Sequence, residues 1–271
     1  GHQALFGEAI RDLYRLALSG PRPPAGVVPG TLTDLPVLDE YYQVIHNRIS
    51  LRKPLKVVVD AGNGTGGITA PTLYHDLGAR VTPLFCDVDG TFPNHHPDPT
   101  KEENLKDLVA EVARQKADLG IAFDGDADRI GVVSASGRII WGDQLTLIFA
   151  TDILTRRPGA TIISEVKASE VLYDEVERLG GKPLMWKTGH SLIKQKIVET
   201  GAALAGEMSG HIFFNDEWFG FDDAVYAGAR LLELLGRSPE TLDQMLDRIP
   251  RVFNTPEIRV DTTEEAKFAI V

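Results

Sequence analysis

The 271-residue sequence predicts an α/β protein built from two consecutive domains, each with a mixed sheet. Three observations lead there. Short apolar runs alternate with longer stretches of helical periodicity from Leu55 onward. That alternation runs its course twice. In each half, a polar loop rich in small residues separates two apolar runs at the same place in the strand order.

Taken in order, Ala4 to Ala17 carries Leu5, Ile10, Leu13 and Leu16 at helical spacing and predicts an amphipathic helix. Ser19 to Gly26, with three prolines and two glycines, is a linker by composition. Leu38 to Ile49 predicts a second helix. The first α/β unit follows: strand Leu55–Asp60, a Gly-rich turn, helix Ile68–Leu77, strand Val81–Cys86, a long loop, and helix Glu102–Lys116. Strand Leu119–Phe123, an acidic loop, a strand from Ile130 and a turn at Gly137 to Gly142 complete it. Asp143 is placed to cap a long helix ending at Arg157. The second unit repeats the pattern: strand Thr161–Ser164, helix Glu170–Leu179, strand Lys182–Trp186, helix Leu192–Glu199, strand Ala202–Ala205. A second polar loop, Gly206 to His211, and the apolar Ile212–Phe214 come next, then helices Asp222–Leu235 and Thr241–Ile249.

Composition narrows the function. Hydrophobic content of 43% and charged content of 25% belong to a soluble globular chain. A net charge of −11 argues against nucleic-acid or anionic-membrane partners. It leaves room for an anionic substrate held by a local cluster of cations and metal. No apolar stretch has the length of a membrane span, and the one cysteine, Cys86, suits a reducing compartment, so cytoplasmic location is expected.

The acidic loop is the most informative stretch. Asp124, Asp126 and Asp128 alternate within five residues between two apolar strands. Carboxylates that close repel one another, and a hard divalent cation removes the repulsion; oxygen-only ligands favour Mg²⁺ or Ca²⁺ over Zn²⁺. An EF-hand does not fit, because its Gly and Glu positions hold Arg129 and Ala135. A solvated acidic turn is the plain alternative. Arg129, a planar fork, suits a phosphate oxyanion beside the metal. In the second polar loop, Glu207 can accept from vicinal hydroxyls and Ser209 can donate or accept, with glycines that let the backbone approach a ring. A competing signal is Gly62–Gly67, which satisfies G-x-G-x-x-G at Gly62, Gly64 and Gly67 between strand and helix, with Asp87 closing the next strand. It reads either as a dinucleotide-binding (Rossmann-type) module or as a tight turn. The adjacent His95 and His96 point different ways and fit a capped loop better than a metal site.

Asp124-Gly-Asp-Ala-Asp-Arg129 resembles the metal loop of the α-D-phosphohexomutases, of phosphomannomutase/phosphoglucomutase type; many members have Gly where this chain has Ala127. Glu207-Met-Ser-Gly-His211 resembles the family's sugar-binding loop, and Lys187-Thr-Gly-His190 a third family segment. The resemblance runs in order from about Leu38 to Pro250. It implies Mg²⁺ on Asp124, Asp126 and Asp128, with Arg129 and Lys167 steadying a transferring phosphoryl group. His190, Glu207, Ser209 and His211 would hold a hexose phosphate, mannose or glucose 1- or 6-phosphate. The implied reaction interconverts the two phosphates through a phosphoserine and a bisphosphate intermediate. It also favours the tight-turn reading of Gly62–Gly67. The family's Thr-(Ala/Gly)-Ser-His-Asn-Pro segment has no match in these residues, nor does its Ser/Thr-rich phosphate loop. The chain therefore reads as a remnant of domain 1 and linker (1–36), domain 2 with the metal loop (37–138), domain 3 with the sugar loop (139–250) and the start of domain 4 (251–271), without the catalytic serine.

Overall fold

The computed structural model describes residues 5–20, 26–28, 30–251 and 262–263. The expectation of a further domain beginning after Pro250 thus falls almost wholly outside the described residues, as does most of the Pro-rich linker.

Among the described residues, two sheets form the frame. The first has the order β2-β1-β3-β4-β5, from β1 (Lys56–Asp60), β2 (Arg80–Leu84), β3 (Leu119–Phe123), β4 (Ile130–Ser134) and β5 (Ile139–Ile140). The second has the order β7-β6-β8-β9, from β6 (Thr161–Glu165), β7 (Lys182–Trp186), β8 (Leu204–Gly206) and β9 (Ile212–Phe214). In each, a central strand pairs in parallel with two neighbours, and the next strand returns antiparallel. The two units share one topology, so the acidic loop after β3 and the polar loop after β8 occupy equivalent positions. Their sheets are mixed, as the sequence predicts. The inner strands read as unbroken apolar runs because both faces are covered: β3 and β4 are buried at every residue. The β5 pair Ile139–Ile140 hydrogen-bonds to β4, which carries the first sheet two residues past 138.

The helices are α1 (Glu8–Leu18), α2 (Leu38–His46), α3 (Gly66–Asp76), α4 (Lys106–Gln115), α5 (Gly142–Arg156), α6 (Glu170–Arg178), α7 (His190–Thr200), α8 (Ala224–Arg237) and α9 (Leu242–Asp247). Glu102–Leu105, expected as the first turn of α4, is a separate 3₁₀ turn. Helix α1 has no buried residue among the described part of the chain. Asp143 does not cap α5. That helix starts two residues earlier, at Gly142, with Trp141 at the cap and Gln144 reaching back to the Trp141 N–H. The Asp143 carboxylate instead accepts from the Gln144 and Ser169 N–H groups, at 2.8 and 3.1 Å, and so pins the loop before α6.

Among the described residues, three apolar clusters make the core. Val58, Leu108, Val112 and Val133 fill one face of the first sheet beneath α4. Ile163, Ile193, Ile197 and Phe213 do the same for the second sheet beneath α7. The largest cluster is continuous across both units, from Val57, Tyr74 and Ile121 to Phe149, Phe214 and Leu231. Helix α8 makes that continuity possible. Twelve of its fourteen residues are buried, as befits a helix that is apolar nearly all round. It follows the second sheet in sequence, yet Tyr74 of α3 donates to the Val225 carbonyl at 2.8 Å. Its single buried cation, Arg230, is 3% exposed and is neutralised by Glu217 at 2.7 Å and Asp216 at 3.3 Å while lying over the Phe214 ring.

Gly228 is where α8 meets α3. A methyl group there would run into the Tyr74 hydroxyl and come within 3.3 Å of Ile121 Cδ1. Gly228→Ala should therefore cost about 1–3 kcal/mol through overpacking of a joint whose atoms cannot move aside. Urea unfolding of the variant should show a lower midpoint with an unchanged slope, and an unchanged midpoint would mean that α8 does not brace the first sheet.

Candidate functional site

The acidic loop is organised by its own first residue. Asp124, 1% exposed, uses Oδ1 to accept the N–H groups of Asp128 and Arg129, both at 3.1 Å. Its Oδ2 takes the Arg129 Nε–H at 2.6 Å. The turn forces Ala127 to φ +61°, a conformation glycine adopts more readily. Asp126 is exposed and makes no hydrogen bond or ion pair among the described residues. Asp128 Oδ1 lies 3.2 Å from His211 Nε2. One oxygen from each of the three aspartates sits within 4.8 Å of the others. Burial pushes the Asp124 carboxyl up, against the opposing pull of Arg129. For Asp128, burial also acts upward but is outweighed by the His211 hydrogen bond, and its carboxyl ends below the usual range. Three hard oxygen donors, one of them free of any protein partner, fit a divalent cation of the Mg²⁺ type.

The second loop is built on two buried glutamates. Glu207, 2% exposed, accepts the Gly189 N–H at 2.6 Å and lies 3.2 Å from His211 Nδ1, which also meets Ser209 Oγ at 2.8 Å. Glu165, fully buried at the end of β6, accepts the Met208 N–H at 2.8 Å and the Thr188 hydroxyl. It also draws Lys167 Nζ to 3.7 Å. The two carboxylates thereby tie the 187–189 segment to the 206–211 loop.

The two loops then meet. An isolated antiparallel bridge joins Arg129 to His211, with the Ile130 N–H donating to the Gly210 carbonyl at 3.0 Å. His190, the first residue of α7, places Nδ1 2.8 Å from Asp222 Oδ2, and its ring centroid is 5.3 Å from that of His211. Lys194 holds the other Asp222 oxygen at 2.8 Å. A cleft of about 430 Å³ opens beside this cluster, lined by Tyr41, Thr65, Asp126, Asp128, Asp222 and Asp223. Burial alone would lower the His211 pKa. The hydrogen bonds and charges of Asp128 and Glu207 outweigh it and push the imidazole up to about 9.

The sequence-predicted residues therefore fall into one region: Asp124, Asp128, Arg129, His190, Glu207, Ser209 and His211 belong to a connected network, and Asp126 stands beside it without a bonded partner among the described residues. Lys167 joins it only through Glu165 and is 43% exposed at its side chain. The guanidinium of Arg129 is engaged by Asp124 and, at 3.4 Å, by Asp98, leaving Nη2 without a partner among the described residues. Sequence reasoning missed Asp222 and Glu165. The only local hint of the first was the acidic pair Asp222-Asp223 before a helix. The dinucleotide reading of Gly62–Gly67 is overturned. The acidic loop fills the space over the turn: Thr65 N–H donates to the Gly125 carbonyl at 3.0 Å, and a methyl group on Gly64 would stand 2.7 Å from that oxygen. The close approach that glycine permits here is to protein backbone, with no room for a pyrophosphate. His95 likewise serves the frame, reaching buried Asp60 at 3.1 Å.

Comparison with known proteins agrees with this geometry. Residues 39–137 match the model of phosphoglucomutase/phosphomannomutase alpha/beta/alpha domain II, and residues 141–253 that of domain III. Phosphomannomutase/phosphoglucomutase of Pseudomonas aeruginosa is 53% identical over 242 residues, 89% of this chain and 52% of the relative. Phosphoglucomutase of Neisseria meningitidis serogroup A is 48% identical over 268 residues, 97% of this chain and 57% of the relative. A solved phosphoglucomutase/phosphomannomutase family protein from Burkholderia thailandensis superposes with a TM-score of 0.88 at 48% identity, covering 94% of this chain and 55% of that one. The chain thus spans about half the length of the curated relatives it matches.

The raised pKa of His211 has a consequence for stability. A folded value of about 9 exceeds the unfolded value near 6.5, so the stabilisation is fully present below about pH 6.5 and lost as pH rises through about 9. In Mg²⁺-free buffer, unfolding free energy should fall by about 3 kcal/mol at most between pH 6.5 and 9.5. His211→Asn should flatten that slope; urea titrations at both pH values would show it, and an equal slope in the variant would contradict the ion-pair assignment.

Proposed function

Because this chain belongs to the phosphoglucomutase/phosphomannomutase family, we propose that it carries the metal-binding and sugar-binding parts of a phosphohexomutase acting on mannose or glucose phosphates. The observation that carries this reading is the bridge between Arg129 and His211, which sets three cation-ready carboxylates against a loop of sugar-type donors and acceptors. In the proposed reaction a phosphoserine gives its phosphoryl group to a hexose monophosphate. The bisphosphate turns over, and the other phosphate returns to the serine. No Thr-(Ala/Gly)-Ser-His-Asn-Pro segment occurs within these 271 residues.

Asp124, Asp126 and Asp128 would hold Mg²⁺, which when bound neutralises charge developing on the transferred phosphoryl group. Arg129 keeps its backbone and Nε fixed on Asp124 and presents Nη2 to a phosphoryl oxygen. His211, held protonated between Asp128 and Glu207, presents positive charge to the same anion. Ser209, bonded to His211, and His190, bonded to Asp222 at the cleft wall, would serve as hydroxyl and phosphate partners. Glu207 fixes Gly189 and His211 and meets a sugar hydroxyl only by exchanging one of those contacts. Lys167, held by Glu165, supplies a second cation toward the phosphate. No helix among the described residues is long and apolar enough to cross a membrane, and we assign the enzyme to the cytoplasm on the single free cysteine.

Two measurements test the reading. Asp126→Asn removes the partner-free carboxylate, so calorimetry should show Mg²⁺ affinity reduced about tenfold or more, ~1.4 kcal/mol, with circular dichroism unchanged. Unaltered Mg²⁺ affinity would remove the metal from this loop. Glu207→Ala, assayed in a polypeptide that also supplies the family's phosphoserine segment, should lower turnover on both mannose and glucose phosphates. The reduction should be about 10²-fold or less, about 1–3 kcal/mol, because both sugars share the hydroxyl that Glu207 would bind. A variant impaired on one sugar alone would argue against a shared hydroxyl partner.

A further inference from the structure

Among the described residues, a second set of ligating atoms lies beside the triple-aspartate loop. One carboxylate oxygen each from Asp128 and Asp222 and one ring nitrogen each from His190 and His211 lie within 4.8 Å of one another. We propose that these four residues form a site for a divalent transition-metal ion, with Zn²⁺ the best fit. It is separate from the oxygen-only site and shares Asp128 with it.

The donor chemistry decides the metal. Two imidazoles and two carboxylates suit a borderline ion, whereas Mg²⁺ and Ca²⁺ seek oxygen alone. Ligands about 2.0–2.1 Å from a tetrahedral ion stand roughly 3.3 Å apart. The observed separations bracket that value: His190 Nδ1 to Asp222 Oδ2 at 2.8 Å, His211 Nε2 to Asp128 Oδ1 at 3.2 Å, and His211 Nε2 to Asp222 Oδ2 at 4.0 Å.

The support behind these donors is also in place. His211 Nδ1 is pinned by Ser209 Oγ at 2.8 Å and by Glu207 Oε2 at 3.2 Å, which leaves Nε2 facing the cluster. A carboxylate on the far nitrogen of a histidine is the usual means of orienting it toward a metal. Lys194 occupies Asp222 Oδ1 and turns Oδ2 inward. His190 is exposed and gives an ion a path in from solvent. An ion here would occupy the two histidines that the mutase reading gives to the substrate, and would exclude hexose phosphate from the cleft. That consequence rests on the mutase reading. The site itself does not, and its test contains no substrate.

The purified 271-residue chain, with its oxygen site saturated by Mg²⁺, is titrated with Zn²⁺ by calorimetry and with Co²⁺ by visible absorption. One Zn²⁺ should bind, and one Co²⁺ should give the intense bands of a four-coordinate, nitrogen-ligated ion that Zn²⁺ then bleaches. Glu207→Gln, which loosens the support of His211, should weaken Zn²⁺ about tenfold or more. His190→Ala should weaken it further, by about 100-fold, and Asp222→Asn, which leaves both imidazoles in place, should act in the same direction. Asp126→Asn should leave Zn²⁺ affinity unchanged. The proposal is overturned if no Zn²⁺ binds, if both His190→Ala and Asp222→Asn bind it as the parent does, or if Asp126→Asn abolishes binding.

Discussion

The contact between His211 and Asp128 is the constraint on which the functional region depends. Each residue belongs to a different α/β unit, and each sits in the loop between a parallel strand and its antiparallel return. Their 3.2 Å ion pair and the adjoining backbone bridge require the ends of β3–β4 and β8–β9 to stand side by side. A shift of a few ångströms between the sheets would separate the three aspartates from the 206–211 loop. The packing that prevents this is distant from both loops. It is the shared core, with α8 laid across the first sheet and Tyr74 hydrogen-bonded to its first turn.

Electrostatics then shapes what the region can hold. The chain is acidic overall, yet here its carboxylates pair with Arg129, Lys194 and His211, so cationic groups are held beside the cleft. Buried Glu165 and Glu207 illustrate the rule that a desolvated carboxylate must be fully engaged. Each accepts a backbone N–H and reaches at least one side chain besides, so the loops they join are held by charge-assisted hydrogen bonds. Preorganisation of this kind lets a site meet a charged ligand without reordering its own backbone.

Much of the frame was legible from local pattern. The triple Val of β1, the apolar runs flanking the acidic loop and the amphipathic spacing of α4 and α6 report burial that neighbouring residues impose on each other. Boundaries slipped where a contact from elsewhere intervened. Asp143 carries a capping side chain, but Trp141 and Gln144 already satisfy the start of α5, and the Ser169 N–H gives the carboxylate a different partner. The Gly62–Gly67 turn misled in the same way. Its glycines do permit a close approach, and the chain itself supplies what approaches.

What the sequence determined by itself is the chemistry: three carboxylates at alternating positions, a glutamate and histidine four residues apart, and strands and helices in an order repeated twice. These depend on residue type and on spacing of a few positions, which the backbone periodicities of strand and helix turn directly into local geometry. What only the tertiary structure decided is the company those groups keep. Asp222 and Asp128 are separated by 94 positions, and no local rule places their carboxylates within reach of the same two histidines. That placement follows from the relative position of two sheets, which is set by apolar packing, and apolar packing is non-directional: many sequences satisfy it, and none announces its partner in advance.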